Sequence, residues 1–398
     1  MHSPYYYYYI YITTTAYKAD EGSEAMHIII NASEINRAFS LLMKAIQPKP
    51  PQTVFEGVFM ETVDEGIMLT TTNGQLTVKT QVNATVEKDG SCLVPARLFS
   101  ELVRKLDGEI ELETKKGLLK ISALGMSSTD IVSLEAAAFP QIEDVKNGFS
   151  VSVKHKDFSN AVNKTKFALS SELSQMILTG CFIQVFPEEV RIVCLDGFRL
   201  AMQKLYVQSE IPKDKEYISC IVPGDVIKEL SSMAGEEDGD IKLTFNSTNL
   251  MAEFNSTKVY SPLIVGEYID YEQILPKTWT TEIKVDRSRL IQAIERSAII
   301  AREGNNLLRL NIEDDSISIS ANTEKANSLE KMPISKNGKE LLIAFNSRYL
   351  LDVVNNVEGK EFTMRFNTNV SPCVVSPVKG NQFTYLVLPV RTIEAMEA

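Results

Sequence analysis

The sequence has few of the residues on which catalytic and metal sites depend. Only three histidines and five cysteines occur among 398 residues, and no two cysteines form a C-x-x-C pair. The phosphate-binding signature G-x-x-x-x-G-K-[ST], the zinc-protease signature H-E-x-x-H and the nucleophile signature G-x-S-x-G are all absent. We therefore predict a protein that is not an enzyme and that uses no metal and no cofactor.

Long apolar runs are missing as well. No 18 consecutive residues are apolar, whereas a membrane-spanning helix needs about 20. The cysteines are scattered and odd in number, which favours reduced thiols over a disulfide framework. These two features predict a cytoplasmic protein without a membrane segment.

The first 25 residues differ from the rest and are left out of the fold prediction. They contain the tyrosine run from Tyr5 to Tyr9 and no basic residue before Lys18, unlike a secretory signal. Met26 precedes a strand-like segment and is the expected start of the folded protein. The leader is then either an upstream mis-start or an added segment.

One α+β unit occurs three times along the remaining sequence. Each copy has a strand followed by an amphipathic helix, with apolar residues spaced i, i+3, i+4 and i+7. A second helix follows in each copy, and Phe99, Ile227 and Leu350 occupy its matching positions, 128 and 123 residues apart. Strand pairs with tight turns, two of them Asn-Gly or Asp-Gly, lie between the helices. The repeat predicts three domains, each with two helices packed on antiparallel sheet.

The limits of these units follow from local signals. Candidate N-caps for the first helix of each copy are Ser33, Asp157 and Asp286, whose side-chain oxygens can accept a backbone N–H. Prolines near residues 139–140 and 274–276 interrupt strand pairing and mark the seams. The predicted segments are the leader 1–25 and the domains 26–148, 149–278 and 279–398.

The charge of the chain is divided unevenly. The net charge of −11 repels a nucleic acid on average, so binding one requires a locally basic surface. The six predicted helical segments together carry +7, which leaves −18 for the rest. Such helices can attract phosphates without reading bases, although the alternative is that their charges only solvate helix faces. The candidates to face a polyanion, chosen by charge and helix position, are Arg37, Lys44, Lys49, Arg104, Lys105, Lys164, Lys166, Arg289 and Arg296.

Three short segments resemble the β subunit of bacterial DNA polymerase III, the sliding clamp family. Residues 195–201, LDGFRLA, resemble the family pattern T-D-G-[HY]-R-L-A. Residues 270–276, DYEQILP, resemble D-Y-x-x-[VI]-[LI]-P, and residues 385–391, YLVLPVR, resemble Y-[VL]-[VI]-[ML]-P-[MVI]-R. The resemblance extends from Met26 to Arg391, and the order of the motifs within a triple repeat makes it specific.

This resemblance implies a DNA sliding clamp, or processivity factor. The expected assembly is a head-to-tail homodimer, whose six domains form a closed ring around duplex DNA with the helices on the inside. The implied partners are sequence-independent duplex DNA, the catalytic subunit of DNA polymerase III, the clamp loader and other proteins with a clamp-binding motif, at replication forks in the nucleoid. Polymerase activity belongs to the holoenzyme. The alternative is a repeat-built protein-interaction scaffold that does not encircle DNA.

The resemblance also implies two kinds of protein contact. One is a pocket for partner peptides between the second and third domains. Its matching residues are Leu178, Leu195, Gly197, Phe198, Leu200, Ile274, Val370, Val387, Leu388, Pro389, Val390 and Arg391. From the residues alone, the segment 385–391 is equally well explained as a buried edge strand. The other contact is the dimer interface, where Ile131 is expected near Ile299 and Ile300 of the partner copy.

This sequence departs from the family pattern in and beside the pocket. Leu195 stands where Thr is usual, Phe198 where His or Tyr is common, and Gln273 where Arg can occur. The departures predict a more apolar pocket with an altered peptide preference. Seven residues follow Arg391, and they are expected either to cover part of the pocket or to be disordered.

Overall fold

The computed structural model of the protein describes residues 26–123, 127–235 and 239–391. The predictions for the leader 1–25 and for residues 392–398 lie outside these ranges. By internal contacts the chain divides into two compact units. Unit 1 contains the described residues through Ser152 together with Gly239–Pro262, and unit 2 contains the remainder.

Six α-helices lie in the described residues, at the six predicted places. They are α1 (Ala32–Leu42), α2 (Ala96–Val103), α3 (His155–Thr165), α4 (Gly224–Ala234), α5 (Arg287–Arg302) and α6 (Ser347–Asn355). Their buried faces carry the predicted apolar periodicity, for example Ile35, Ala38, Phe39 and Leu42 in α1. None of the helices described is long and apolar enough to cross a membrane.

Strands fill most of the chain between the helices. The first and second copies of the repeat supply β1 (His27–Asn31), β2 (Gly57–Val63), β3 (Gly66–Thr72), β4 (Thr77–Asn83), β5 (Thr85–Lys88), β6 (Ser91–Pro95), β7 (Glu109–Lys115), β8 (Leu118–Ala123), β9 (Ser127–Val132), β10 (Phe149–Lys154), β11 (Gly180–Val185), β12 (Glu189–Leu195), β13 (Arg199–Tyr206), β14 (Ile218–Pro223), β15 (Asp240–Phe245), β16 (Asn249–Phe254) and β17 (Thr257–Pro262). The third copy supplies β18 (Thr281–Asp286), β19 (Leu307–Ile312), β20 (Ser316–Asn322), β21 (Asn327–Pro333), β22 (Ser335–Gly338), β23 (Leu341–Asn346), β24 (Glu361–Phe366), β25 (Cys373–Pro377) and β26 (Phe383–Val387).

Unit 1 contains two antiparallel sheets. One has five strands in the order β5-β1-β7-β8-β9, and the other has eight in the order β10-β15-β16-β17-β4-β3-β2-β6. The larger sheet crosses from the first copy of the repeat to the second through the pairing of β4 with β17, in which Val78 lies opposite Val259. The hydroxyls of Thr80 and Thr257 add a hydrogen bond of 2.8 Å across this pair.

Unit 2 repeats this arrangement with the second and third copies. A nine-stranded sheet has the order β14-β11-β12-β13-β26-β25-β24-β18-β22, and a four-stranded sheet has the order β21-β20-β19-β23. Strands β13 and β26 join the two copies, with Leu200 opposite Leu386. The α+β fold with three repeated domains is thus confirmed. The sequence did not predict that neighbouring copies share one continuous sheet.

Two of the three predicted N-caps are wrong. Helix α1 begins earlier than expected, and Asn31 is its N-cap, accepting the backbone N–H of Ser33 at 2.9 Å. Helix α3 follows directly on β10, so Asp157 lies inside its first turn, where a carboxylate favours the positive end of the helix dipole. Asp286 caps α5 as predicted, because it accepts the backbone N–H of Arg289 at 2.9 Å.

All five cysteines are free, as the sequence predicted, and all five are buried. Burial alone raises the pKa of Cys92 to about 12. The Cys92 thiol therefore stays protonated at neutral pH, and all five buried cysteines serve as apolar core residues.

Candidate partner-binding site and helical surface

An apolar cluster lies in unit 2, where β13 and β26 meet. The buried members of this site cluster are Leu178, Phe182, Val193, Leu195, Leu200, Met202, Ile221, Tyr271 and Leu386. Leu388 is partly buried and packs against the cluster, as do Leu275 and Val374. Four of the residues predicted to form a pocket, Leu178, Leu195, Leu200 and Leu388, are therefore brought together.

The segment 385–391 begins as the last three residues of the paired strand β26 and continues beyond it. Strand β26 lies between β13 and β25, so the interpretation of this segment as an edge strand is wrong. Val387 is fully buried opposite Arg199. After the strand, Leu388 donates its backbone N–H to Phe198 at 2.8 Å, and Val390 donates to Ala344 at 2.8 Å. These bonds fix the path of the chain from the strand to its described end.

Apolar side chains remain exposed around the cluster. Phe198, Ile274, Val370 and Val390 are exposed, Pro389 is half-buried and Arg391 is exposed. Ile274 adjoins the cluster through its neighbour Leu275, whereas Val370 lies in the turn that leads to β25 and its Val374. Exposed apolar groups beside a dry cluster are typical of surfaces that bind protein segments.

A tight turn positions Phe198. Gly197 has φ +87°, a conformation that strongly favours glycine, and Asp196 Oδ1 accepts the backbone N–H of Phe198 at 2.9 Å. The Phe198 ring is 53% exposed and stacks on Tyr349 of α6, with ring centroids 5.3 Å apart. Sequence reasoning missed Tyr349. The available signal was an aromatic residue in the first turn of a helix whose Leu350, Val353 and Val354 are buried.

Arg199 joins this turn to helix α6. Its Nε donates to Asp196 at 3.0 Å, and a second nitrogen pairs with Asp352 of α6. The guanidinium also lies 4.6 Å from the centre of the Tyr349 ring. Because a planar guanidinium can bind carboxylates and stack on a ring at once, this one residue fixes the turn relative to the helix.

The connector, residues 263–279, covers one side of the site cluster and is held by β12. Arg191 of β12 donates to Glu272 at 2.5 Å and to the Tyr271 hydroxyl at 3.3 Å. That hydroxyl donates in turn to Gln184 at 2.7 Å. Burial raises the pKa of Tyr271, with Arg191 opposing the rise, so the hydroxyl remains a donor at neutral pH.

Glu189, a neighbour on β12, holds Arg191 in position through an ion pair. Glu189 binds Arg191 at 2.6 Å and Lys204 at 3.0 Å. Burial opposes ionisation, but these two cations hold the pKa of Glu189 below its usual value. The position that departs from the family, Gln273, bonds to Asp270 at 2.7 Å within the connector.

The helical surface is the set of nine basic residues that were predicted to face a polyanion. Eight of them are exposed: Arg37, Lys44, Lys49, Arg104, Lys105, Lys166, Arg289 and Arg296. Lys49 follows the short 3₁₀ turn Met43–Ala45 and does not lie on a helix. The prediction of a helical position for Lys49 is wrong, because it rested on charge and not on the apolar period.

Two residues of the helical surface are paired with carboxylates. Lys164 binds Glu358, and Arg296 forms two bonds with Glu330, of 2.8 and 2.6 Å. Counting charges along the helices missed both partners, because Glu358 and Glu330 lie outside the helical segments. The net charge of +7 therefore overstates the free positive charge of this surface.

Two sheet edges bear exposed apolar residues. On β9, an edge strand of unit 1, Ile131 is 3% exposed and Val132 is 67% exposed. In unit 2, Ile299 of α5 and Leu329 of the edge strand β21 are exposed, whereas Ile300 is half-buried. Because successive strand residues point to opposite faces, the accessible apolar residue on β9 is Val132 and not the predicted Ile131.

Among residues 26–123, 127–235 and 239–391, no group of three His, Cys, Asp or Glu side chains could hold a metal ion. The chemistry that the arrangement offers is therefore apolar association at the site cluster and charge attraction at the helical surface.

Family models match the three copies of the repeat in order. Residues 26–143, 152–270 and 272–391 match the N-terminal, central and C-terminal domains of the DNA polymerase III beta subunit. A beta sliding clamp of Bacillus subtilis is 26% identical over 380 residues, which are 92% of this chain and 100% of that protein.

Solved structures agree with this match. The crystal structure of a DNA polymerase sliding clamp from Bacillus subtilis has a TM-score of 0.87 at 26% identity, covering 93% of this chain and 100% of that one. The DNA polymerase III subunit beta from Pseudomonas aeruginosa has a TM-score of 0.88 at 25% identity, covering 92% and 100%.

Proposed function

The chain belongs to the DNA polymerase III beta subunit family, the bacterial sliding clamps, and on that premise we propose that two copies close head to tail into a ring around duplex DNA. The family is a non-catalytic processivity factor, as the sequence predicted. A topological link lets the grip on DNA stay weak enough for sliding.

The exposed sheet edges support the dimer. Edge strands present unpaired backbone groups, and proteins normally protect them. Strand β9 of one copy pairs with β21 of its partner in this proposal, so that Val132 and Leu329 become covered and Ile299 packs beside them. Each copy uses one of its edges at each contact, which closes a ring of two copies and six domains.

The six helices support a central hole wide enough for DNA. Twelve helices from two copies, spaced about 9 Å apart, give a circle of axes roughly 35 Å across. Subtracting one helix diameter of about 10 Å leaves a hole of roughly 25 Å, which exceeds the width of about 20 Å of a duplex. The exposed lysines and arginines of the helical surface then face phosphates, so binding is independent of sequence.

The site cluster is the proposed docking place for partner peptides. A peptide with apolar anchors covers the exposed Phe198, Ile274 and Val390 and contacts Leu388, while Arg391 is available to an acidic group. The partners are the catalytic subunit of DNA polymerase III, the clamp loader and other proteins that carry such a motif. The protein then acts in the cytoplasm, at forks within the nucleoid, with domains 26–148, 149–278 and 279–398.

The observation that carries this function is the triple repeat, in which every copy has two helices and at least two of the nine basic residues. The deciding experiment loads the full chain onto nicked circular plasmid and then linearises half of the sample. A ring stays on circles and slides off open ends, and light scattering should give twice the chain mass of 44.5 kDa. Equal retention on both forms would contradict encirclement and favour a protein-interaction scaffold.

A further inference from the structure

One carboxylate bridges the second and third copies of the repeat. Glu358 lies in the turn after α6, and its Oε1 accepts a hydrogen bond of 2.9 Å from the Asn160 amide of α3. The same oxygen binds the ammonium group of Lys164, one helical turn further along α3. Two donors on one helix face thus converge on one acceptor.

The carboxylate of this bridge stays ionised at neutral pH. The side chains are partly shielded, since Lys164 is 21% exposed and Glu358 is 43% exposed. Burial opposes ionisation of Glu358, but Lys164 and Asn160 outweigh it and hold the pKa of the carboxyl below its usual value. The positive charge of Lys164 is therefore offset by a permanent neighbouring anion.

A second lysine at the same end of α3 has a different partner. The ammonium group of Lys166 is exposed and donates to the neutral amide oxygen of Asn163 at 2.6 Å. A phosphate that approaches Lys166 has to replace only an amide. A phosphate that approaches Lys164 has to displace a carboxylate, which carries a full opposite charge and so holds the ammonium group more strongly than a neutral amide does.

We propose that Glu358 is a counter-charge that holds Lys164 away from the phosphodiester backbone and so limits how tightly the clamp grips DNA. This inference rests on the proposed encirclement of duplex DNA. Each lysine that binds a phosphate adds a barrier to sliding. Occupying Lys164 with an internal carboxylate removes one such contact while the lysine stays part of the fold.

The test measures the salt dependence of binding to a short fluorescent duplex, which can thread through a closed ring from its ends. Glu358→Gln keeps the shape of the side chain and removes its charge. One additional phosphate contact should steepen the slope of log K against log salt by about 0.9. Lowering KCl fourfold should then improve the affinity of the variant roughly threefold more than that of the unchanged protein.

Two further variants isolate the cause. Lys164→Met combined with Glu358→Gln should return the slope to that of the unchanged protein, because the gain requires the lysine. Glu361→Gln is the matched control. Glu361 is 46% exposed and pairs with Lys284 at 2.7 Å, but it lies on strand β24 and not beside a helix-borne lysine. This control should leave the slope unchanged.

The outcomes separate this inference from the proposed function. If the unchanged chain stays on circular plasmid but neither Glu358→Gln nor Glu358→Ala, which leaves no amide to retain Lys164, steepens the slope at full dimer mass, the counter-charge is refuted while encirclement stands. A steeper slope in Glu361→Gln of the same size would also refute it, because any lost carboxylate would then suffice. If the unchanged chain fails the plasmid test, the proposed function itself has failed.

Discussion

The site cluster and the helical surface are organised by different forces. In the site cluster, buried side chains from two copies of the repeat meet through the pairing of β13 with β26, and position decides the function of each residue. On the helical surface, exposed cations act at a distance, and partners such as Glu358 decide how much charge is available. We therefore expect a single substitution to change peptide affinity strongly at the site cluster, but to change DNA binding only slightly at the helical surface.

The largest effect is expected from Leu388→Lys. This change places an ammonium group beside a dry apolar cluster, and the binding of a partner peptide should weaken by about a hundredfold or more. Fluorescence anisotropy with a labelled clamp-binding peptide measures the loss. Val378→Lys, at another exposed apolar position, should bind the peptide normally, and both variants should retain the dimer mass. Unchanged affinity in Leu388→Lys would rule out this cluster as the docking place.

A smaller loss is expected from Phe198→Ala. The substitution removes an exposed ring that Tyr349 holds in place, and a contributing aromatic anchor is worth about 1–2 kcal/mol, or roughly tenfold in affinity. Tyr206→Ala, which removes a ring of similar exposure at the far end of the adjoining strand β13, is the matched control. If both variants bind alike, the stacked pair lies outside the peptide site.

Substitution of Arg191 tests whether the site depends on the position of the connector. Arg191→Ala frees Tyr271 and Glu272 from β12, and we expect a loss of about fivefold in peptide affinity, without a change in the apolar anchors themselves. Arg191→Lys keeps the charge but not the paired geometry and should fall in between. Lys204→Ala removes a cation from the same Glu189 on β12 and should bind normally. Equal losses in the Arg191 and Lys204 variants would indicate a general effect on stability.

Local sequence patterns predicted the helices and the turn that carry the residues of both regions. The apolar period located all six helices, and Asp196-Gly197 located the turn that presents Phe198, because these features depend on neighbours within a few residues. The family motifs then selected Leu195, Leu200 and Leu388, which lie together in the structure.

Contacts between distant residues could not be predicted in the same way. Arg191 meets Glu272, 81 residues later, and Lys164 meets Glu358, 194 residues later. Nothing in the local pattern of either segment specifies such a partner. The sequence pointed to Ile131 instead of Val132 for another reason. Both are β-branched and adjacent, so either could face outward until the strand's place in the sheet is known.

The smallest effect separates the two lysines at the end of α3. Lys166→Met should flatten the slope of log K against log salt for duplex DNA by about 0.9, because an exposed cation is lost from the set that neutralises phosphates. Lys164→Met should change the slope much less, because Lys164 already pairs with Glu358 and the uncovered carboxylate repels the duplex only through screened charge. The two variants remove the same charge from the same helix end, so net charge alone predicts equal slopes for both. Equal slopes would show that the helical surface responds only to its total charge, and that the pairing of individual side chains has no influence on the grip.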